Sequence, residues 1–253
     1  MTRTPGTDTD AESPVRWSYA FIDRLDGTAD AFWRAVTATG ASARRGEEDQ
    51  FATLLPGDGH AYVKTQTVGA NPGSHLDLCV EDMPAFAARA VELGARIVTE
   101  LDDVIVLASP GGAPFCVVAW EAETGRSAPV EIGDSRTRLD QLCVDVAPAD
   151  FEAESRFWPA LTGWTTGAGI LPEFTWVRQP RELPLRILIQ RMAETGPARM
   201  HLDFACADID AAREVHERLG ASHVASHVRW HVMRDPGGVE YCLTVRDPDT
   251  GVI

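Results

Sequence analysis

The sequence predicts an α+β protein of two tandem domains, each a pair of strand-helix-strand-strand-strand units forming a cupped mixed sheet. One observation behind this prediction is a repeat. The run Ser-His-Leu-Asp-Leu-Cys, which starts at Ser74, returns as Met-His-Leu-Asp-Phe-Ala from Met200, so that His75 and His201 are 126 positions apart. The other is that apolar runs typical of strands alternate with amphipathic runs typical of helices in both halves.

Other short runs repeat at the same offset, and one repeats at an offset of 125. They are Leu93-Gly94-Ala95 with Leu219-Gly220-Ala221, Pro110-Gly111-Gly112 with Pro236-Gly237-Gly238, Phe115-Cys116 with Tyr241-Cys242, and Phe32-Trp33 with Phe157-Trp158. So constant a spacing indicates the duplication of a whole domain, because solenoid repeats are only about 20–50 residues long. The length of 253 residues also suits two domains.

The first half divides into two units, each opened by a strand that a helix follows. Apolar residues at helical spacing predict the first helix near residues 31–36. The second helix runs from Met83 to Leu93, with Pro84 in its first turn and Gly94 after its end. The predicted strands of this half are 17–23, 50–55, 61–68, 75–80, 96–99, 104–108 and 114–120.

The second half repeats this order after a charged stretch that contains glycine and proline and shows no period. Its predicted helices are 149–161 and 209–219, and its predicted strands are 139–146, 174–178, 185–192, 201–206, 223–224, 228–233 and 240–245. We therefore divide the chain into a disordered tail (1–14), domain 1 (15–120), a linker (121–136) and domain 2 (137–247).

Composition excludes several classes of protein. A net charge of −15 argues against nucleic-acid binding, because phosphate contacts need clustered Lys and Arg. No apolar stretch is long enough to predict a signal peptide or a membrane span. The five cysteines lie in apolar runs without a C-x-x-C pair, so we interpret them as reduced packing residues of a cytoplasmic protein. We expect the protein to be a monomer or homodimer. Nucleotide-binding and serine-hydrolase motifs are absent.

The repeated runs carry a resemblance to a known family. The His-Leu-Asp-Leu/Phe opening, the helix ending Leu-Gly-Ala, and the Asp235-Pro-Gly-Gly turn before Val-Glu-Tyr-Cys-Leu resemble the vicinal-oxygen-chelate superfamily, which includes glyoxalases, bleomycin-resistance proteins and extradiol dioxygenases. The Phe-Trp pairs and Gln190-Arg191 fit its glyoxalase-like subgroup. The resemblance implies that each domain forms a cupped sheet whose cup holds a metal and a small ligand.

The resemblance also implies where metal ligands would lie. Metal-binding members use a His on the first strand, a His opening the second unit, a Glu after the turn, and in some enzymes a fourth residue on a late strand. The matching positions are Gln141, His201, Cys242 and Gln190 in domain 2, and Tyr19, His75, Cys116 and Lys64 in domain 1.

These positions lead us to expect no metal in either cup. Lysine has no lone pair to give, and only His201 is a family ligand type in domain 2. Glu240 shares a strand face with Cys242, so a divalent metal in domain 2, if one binds, would use His201, Glu240 and Gln141.

We expect the second cup to be the ligand site, because the first copy is less able to read a ligand's hydrogen bonds. The second copy has Gln141, Gln190, Trp230 and His231 where the first has Tyr19, Lys64, Val104 and Ile105. Asp77 and Asp203 are assigned to the opposite strand face from the histidines, as structural hydrogen-bonding groups. The expected ligand-binding residues are Gln141, Trp176, Arg178, Gln190, His201, Trp230, His231 and Cys242. No catalytic residue is assigned.

Two functions stay open. The favoured one is binding of a small aromatic or hydrophobic molecule in the domain 2 cup without a metal. The alternative is a metal-dependent lyase, isomerase or dioxygenase that acts on a substrate with adjacent oxygens. Degenerate ligand positions favour the first, and fold analogy alone cannot name the ligand.

Overall fold

The computed structural model describes residues 13–253, so most of the predicted disordered tail lies outside the described residues. Of that predicted tail, Ser13 is tied to the second half, since the indole of Trp164 donates to its hydroxyl at 3.1 Å. The described chain is α+β, with four helices and 17 strands in a mixed sheet. No helix among these residues is long and apolar enough to cross a membrane.

The elements follow the predicted order. The first half contains β1 (Val15–Arg24), α1 (Asp30–Val36), β2 (Gly40–Ala41), β3 (Phe51–Leu55), β4 (Val63–Thr67), β5 (Gly73–Val80), α2 (Met83–Glu92), β6 (Arg96–Glu100), β7 (Val104–Ala108) and β8 (Pro114–Ala119). The second contains β9 (Val130–Ile132), β10 (Ser135–Val146), α3 (Phe151–Thr162), β11 (Thr165–Ala168), β12 (Phe174–Arg178), β13 (Arg186–Arg191), β14 (Arg199–Cys206), α4 (Ile209–Arg218), β15 (Ser222–Ser226), β16 (Trp230–Arg234) and β17 (Glu240–Val245).

Three short strands, β2, β9 and β11, were not predicted, because two to four residues carry too little periodicity. One of them changes the description of the linker. Val130–Ile132 pairs antiparallel with the start of β10, so the second half of the predicted linker is sheet.

Each half forms an eight-stranded cup. The order is β2-β3-β4-β1-β5-β8-β7-β6 in the first half and β11-β12-β13-β10-β14-β17-β16-β15 in the second. A single pairing, Met200 with Ser74, joins β14 to β5. We call the concave faces of these sheets the first cup and the second cup. The opposite faces carry the apolar core, with residues such as Ile22, Leu78 and Leu142 fully buried.

Helix α1 belongs to the first half but packs against the second. The ring of Trp33 lies 5.3 Å from that of Tyr241 on β17 and stacks on Phe204 of β14 at 6.2 Å. Its indole nitrogen donates a 2.7 Å hydrogen bond to Asp235 in the turn before β17. The duplicated Phe-Trp pair therefore contributes to the interface between the halves.

Helix α3 makes the reciprocal contact with the first half. The ring of Trp158 lies 5.2 Å from that of Phe115 on β8. Its indole donates at 2.6 Å to Glu154 on the same helix. The other oxygen of Glu154 accepts from the Ser109 hydroxyl and, at 2.7 Å, from the amide of Gly111, both in the turn before β8. Each interface thus holds one buried carboxylate. In the contact of α1 it belongs to Asp235 in the turn, and in the contact of α3 it belongs to Glu154 on the helix itself.

We predict that the buried carboxylate can be moved from the helix to the turn at a smaller loss of stability than the two single changes together would cause. Ser109 corresponds to Asp235 by the repeat, and Ala29 corresponds to Glu154. Glu154→Ala should cost about 1–3 kcal/mol, because it leaves buried donors unpaired. Ser109→Asp alone should also destabilise, because it adds a second buried carboxylate. The double variant should be more stable than the sum of the single changes predicts, by on the order of 1 kcal/mol in a urea-unfolding cycle. Strict additivity would contradict this interpretation.

A neutral histidine lies in the same interface. His216 on α4 is fully buried against Phe32 and Phe204, and its Nδ1 lies 2.8 Å from the Tyr241 hydroxyl. Burial lowers the pKa of His216 to about 4, because a charged ring would be desolvated there.

We predict that His216 makes the protein sensitive to acid. Its pKa is near 6.5 when unfolded and about 4 when folded, so the unfolded chain binds a proton first and stability falls as pH falls below 6.5. His216→Gln should reduce the loss of unfolding free energy between pH 7 and pH 4.5 by about 2–3 kcal/mol. Denaturant titrations of both proteins at the two pH values measure this; parallel pH dependences would contradict it.

Candidate functional site in the second cup

The second cup encloses a cavity of about 280 Å³. The sheet alternation turns every second side chain of β10, β12, β13, β14 and β17 toward it, and the β11–β12 loop and the chain end close its sides. The apolar part of its wall consists of Ala168, Ile170, Leu171, Phe174, Trp176, Leu188, Trp230, Val245, Val252 and Ile253. A pocket with mainly apolar walls and a few polar groups is typical of a small-molecule site.

Trp176 forms part of this wall because its strand neighbour is a glycine. Gly167 pairs directly with Trp176 across β11 and β12, and a Cβ at that position would lie 2.4 Å from the indole ring. The indole nitrogen donates at 3.0 Å to the carbonyl of Ala168. The guanidinium of Arg178 lies over the ring at 5.3 Å. The backbone therefore fixes the indole flat against the strand.

Trp230 forms the wall on the other unit. Its ring meets Phe174 edge-on at 5.7 Å and stacks on His227 at 4.3 Å. Phe174 lies on β12 and Trp230 on β16, which are on opposite sides of the sheet. Their contact therefore bridges the two sides of the cup.

The polar floor of the cup is centred on His201. Its Nδ1 lies 3.3 Å from Asp145, and its Nε2 lies 3.2 Å from Asp203. Burial opposes a charge on the ring, but the carboxylates of Asp145 and Asp203 outweigh burial and hold the pKa of His201 well above 6.5. Arg199 also approaches Asp145, at 3.2 Å. The two carboxylates on either side of His201 therefore favour the charged form of its ring.

Two amides and two thiols surround this group. The Gln141 amide donates to Asp203, and the Cys143 thiol donates to Gln190 at 3.6 Å. The Cys242 sulfur lies 3.6 Å from Nε2 of His201. Burial raises the pKa of Cys242 to about 11 despite the neighbouring ring of His201, so this sulfur is a thiol at neutral pH.

The assignment of Asp77 and Asp203 to the opposite strand face is wrong. Each Asp is two residues after its His, and residues two apart share a face of a strand. Both carboxylates lie beside the histidines, at 3.2 Å in the second cup and 3.5 Å in the first.

The structure brings seven of the eight expected ligand-binding residues to the cavity and leaves one outside. Those at the wall are Gln141, Trp176, Arg178, Gln190, His201, Trp230 and Cys242. His231 follows Trp230 directly and so faces away, where its Nε2 lies 3.0 Å from Asp210 on α4 and its Nδ1 2.9 Å from Ser226. Glu240, expected as a metal ligand, is half-exposed and forms an ion pair with Arg234 at 2.7 Å.

Other wall and floor residues were missed. Cys143, Asp145 and Asp203 could have been found by strict alternation from Gln141 and His201. Arg186 could have been found in the same way from Gln190. Thr244 could have been found from Cys242 by the same alternation. Gly169, Arg229, Arg246 and the apolar chain end also line the cavity, and no sequence signal places them there.

The first cup is occupied by the chain itself. The segment after β8 turns back so that Glu123 is buried and accepts a hydrogen bond from the Tyr19 hydroxyl. The ammonium of Lys64 lies 3.4 Å above the Tyr19 ring. Side chains of the first half and of the linker therefore contact one another where a ligand would lie.

The first cup nonetheless keeps the same charged group beneath. His75 lies 2.7 Å from Asp23 and stacks on Phe21 at 4.4 Å. Burial opposes its charge, but the hydrogen bond to Asp23 and the nearby Asp77 raise the pKa of His75. The Asp–His–Asp arrangement is thus common to an open cup and a filled one, which indicates a structural contribution in both.

Sequence comparison identifies the class of protein. The chain matches the glyoxalase-like domain family over residues 22–118 and again over residues 141–244. It therefore belongs to this family, within the vicinal-oxygen-chelate superfamily. A search of curated protein sequences gives no match.

Solved structures with the same fold include enzymes. The Mn(II)-bound glyoxalase from Novosphingobium aromaticivorans is 17% identical, with a TM-score of 0.59 over 95% of this chain and 86% of that one. The extradiol ring-cleaving dioxygenase from B. fuscum is 16% identical, with a TM-score of 0.60 over 96% of this chain and 77% of that one. The 2,3-dioxygenase LapB from Pseudomonas sp. KL28 is 12% identical, with a TM-score of 0.59 over 96% and 98%. At these identities the similarity establishes the fold alone.

The residues of the second cup do not fit the metal set that the family implies. The amide of Gln141 is already bonded to Asp203, and the Cys242 thiol stands where the carboxylate is expected. Both nitrogens of His201 face carboxylates, at 3.3 Å and 3.2 Å, so neither is turned toward an open position. Two imidazoles and a carboxylate with open positions are not present at these sites.

We predict slow alkylation of Cys242. With a pKa of about 11, its thiolate fraction at pH 7 is about 300-fold smaller than that of a free cysteine with a pKa near 8.5. Iodoacetamide labelling, followed by peptide mass spectrometry, should be slow at pH 7 and rise up to about pH 11. The same peptide from unfolded protein gives the reference rate, and Cys242→Ser confirms the assignment. Fast labelling in the folded protein at pH 7 would contradict the prediction.

Proposed function

We propose that this protein binds a small, planar and largely apolar molecule in the second cup without a resident metal. The observation that carries the proposal is the contrast between the cups: the second encloses a cavity of about 280 Å³, while Lys64 and Glu123 occupy the first. Trp176 and Trp230 offer aromatic surface, and Gln190 and Gln141 offer polar contacts. Domain 1 supports the site by packing α1 against β17 and β14.

One observation favours a second candidate, metal-dependent catalysis on a substrate with adjacent oxygens. Donor atoms of Cys143, His201 and Asp203 lie within 4.8 Å of one another. Residues that could hold an ion are therefore close together, although they are not the family's set. A solved structure of similar fold is Mn(II)-bound.

Metal analysis separates the two candidates. We expect the purified full-length protein to contain no stoichiometric divalent metal, and we expect binding of 2-naphthamide, a neutral planar probe, to be unchanged by EDTA. Quenching of tryptophan fluorescence measures the binding, since two tryptophans line the cavity. A stoichiometric ion whose loss on Cys143→Ser or Asp203→Asn abolishes turnover or binding would favour the second candidate.

Substitution at matched positions tests where the probe binds. Gln190→Ala and Trp176→Ala should weaken 2-naphthamide binding by about 1–3 kcal/mol each, because they remove wall contacts. Lys64→Ala, at the position of the first cup that corresponds to Gln190, is the control and should leave binding unchanged. His201→Ala should likewise weaken binding, whereas His75→Ala should affect mainly stability. If the variants of both cups lose the same affinity for 2-naphthamide, the second cup is not the binding site.

A further inference from the structure

The wall of the second cup is positively charged, although the protein is not. Four arginines line the cavity, and Asp203 is the one acidic side chain among its lining residues in the described chain. The chain as a whole has a net charge of −15. The arginines are Arg178, Arg186, Arg229 and Arg246.

One of these arginines is already neutralised. Arg246 is paired with Asp140 through two contacts, at 2.7 Å and 2.6 Å, and both side chains are buried. The charge of Asp203 is likewise taken up by His201. The remaining arginines therefore set the charge that a ligand meets.

Arg186 is a buried guanidinium that forms no ion pair within the described part of the chain. Its side chain is 8% exposed, and one terminal nitrogen donates at 2.9 Å to the carbonyl of Gly251. Its Nε has no hydrogen-bond partner, and no carboxylate of residues 13–253 lies within ion-pairing distance. Burial and the neighbouring Arg246 lower the pKa of Arg186 to about 10. A buried charge of this kind is costly unless an anion pairs with it.

A second arginine lies beside it at the same end of two paired strands. Val177 pairs with Ile187, so the next positions, Arg178 on β12 and Arg186 on β13, are neighbours on the cup face. Two positions along, Trp176 pairs with Leu188. In the described part of the chain Arg178 forms no ion pair, and its guanidinium lies over the indole of Trp176. A cationic pair thus adjoins an aromatic and apolar surface.

We propose that the ligand of the second cup is an aromatic carboxylate, with its carboxylate at Arg186 and Arg178 and its ring against Trp176 and Leu188. The planar fork of a guanidinium matches the two oxygens of a carboxylate. The apolar wall excludes water and so strengthens that contact. This inference rests on the proposed function, because it specifies the chemistry of the molecule bound in the same cavity.

The test compares two probes of the same shape, 2-naphthoate and 2-naphthamide, titrated into the full-length protein at low salt. We expect the carboxylate to bind about tenfold more tightly than the amide, because only the carboxylate can pair with the two guanidinium groups. Equal affinities would overturn the inference while leaving the proposed function intact. If neither probe binds in the cavity, the proposed function fails as well.

Arginine variants locate the carboxylate. Arg178→Gln should remove most of the preference for 2-naphthoate and leave the affinity for 2-naphthamide nearly unchanged. The control is Arg156→Gln, an exposed arginine on α3 whose partner is Glu152, and it should change neither affinity. Because Arg186 also holds Gly251, Arg186→Lys is used there: it keeps the charge, and it should reduce the preference without loss of the fold by circular dichroism. An equal loss of both probes in Arg178→Gln would mean that the side chain only covers Trp176, and would overturn the inference.

Discussion

The reciprocal helix-to-turn contact between the halves is the constraint on which the rest of the structure depends. Each duplicated helix places its tryptophan on the last sheet strand of the other half, and one carboxylate satisfies the buried donors at each contact, Asp235 in one and Glu154 in the other. Because a buried carboxylate without donors is costly, each contact specifies a single docking geometry. The orientation of the two cups follows from it, since the convex faces are committed to this interface.

Duplication gave two cups, and their contents have since diverged. Both keep an imidazole between two carboxylates under the sheet centre. The first cup receives Glu123 from the connecting segment, whereas the second keeps an open volume with aromatic walls. Because this Asp–His–Asp arrangement is present in a filled cup as well as in an open one, we interpret it as stabilising the fold rather than as serving catalysis. The features specific to the second cup, its tryptophans and arginines, are the ones that can discriminate ligands.

The fold could be predicted from the sequence because the repeat made each half a test of the other. Helix and strand positions agree within a few residues, and the strands that were missed are the shortest. The site was harder to predict. Alternation places Trp230 in the cup and must therefore turn His231 toward α4, yet both were expected in one site. The chain end reaches the cavity through tertiary packing, which leaves no local periodicity to read.

The absence of a single methyl group at Gly167 sets the breadth of the cup. With no Cβ in the way, the indole of Trp176 lies along the neighbouring strand instead of standing out into the cavity, and Ala168 holds its nitrogen. The ring is therefore ordered when the chain folds rather than when a ligand arrives, so less side-chain entropy is lost on binding. Alanine at that position would push the indole inward and turn a broad slot into a narrow one, which makes this backbone position a determinant of ligand thickness.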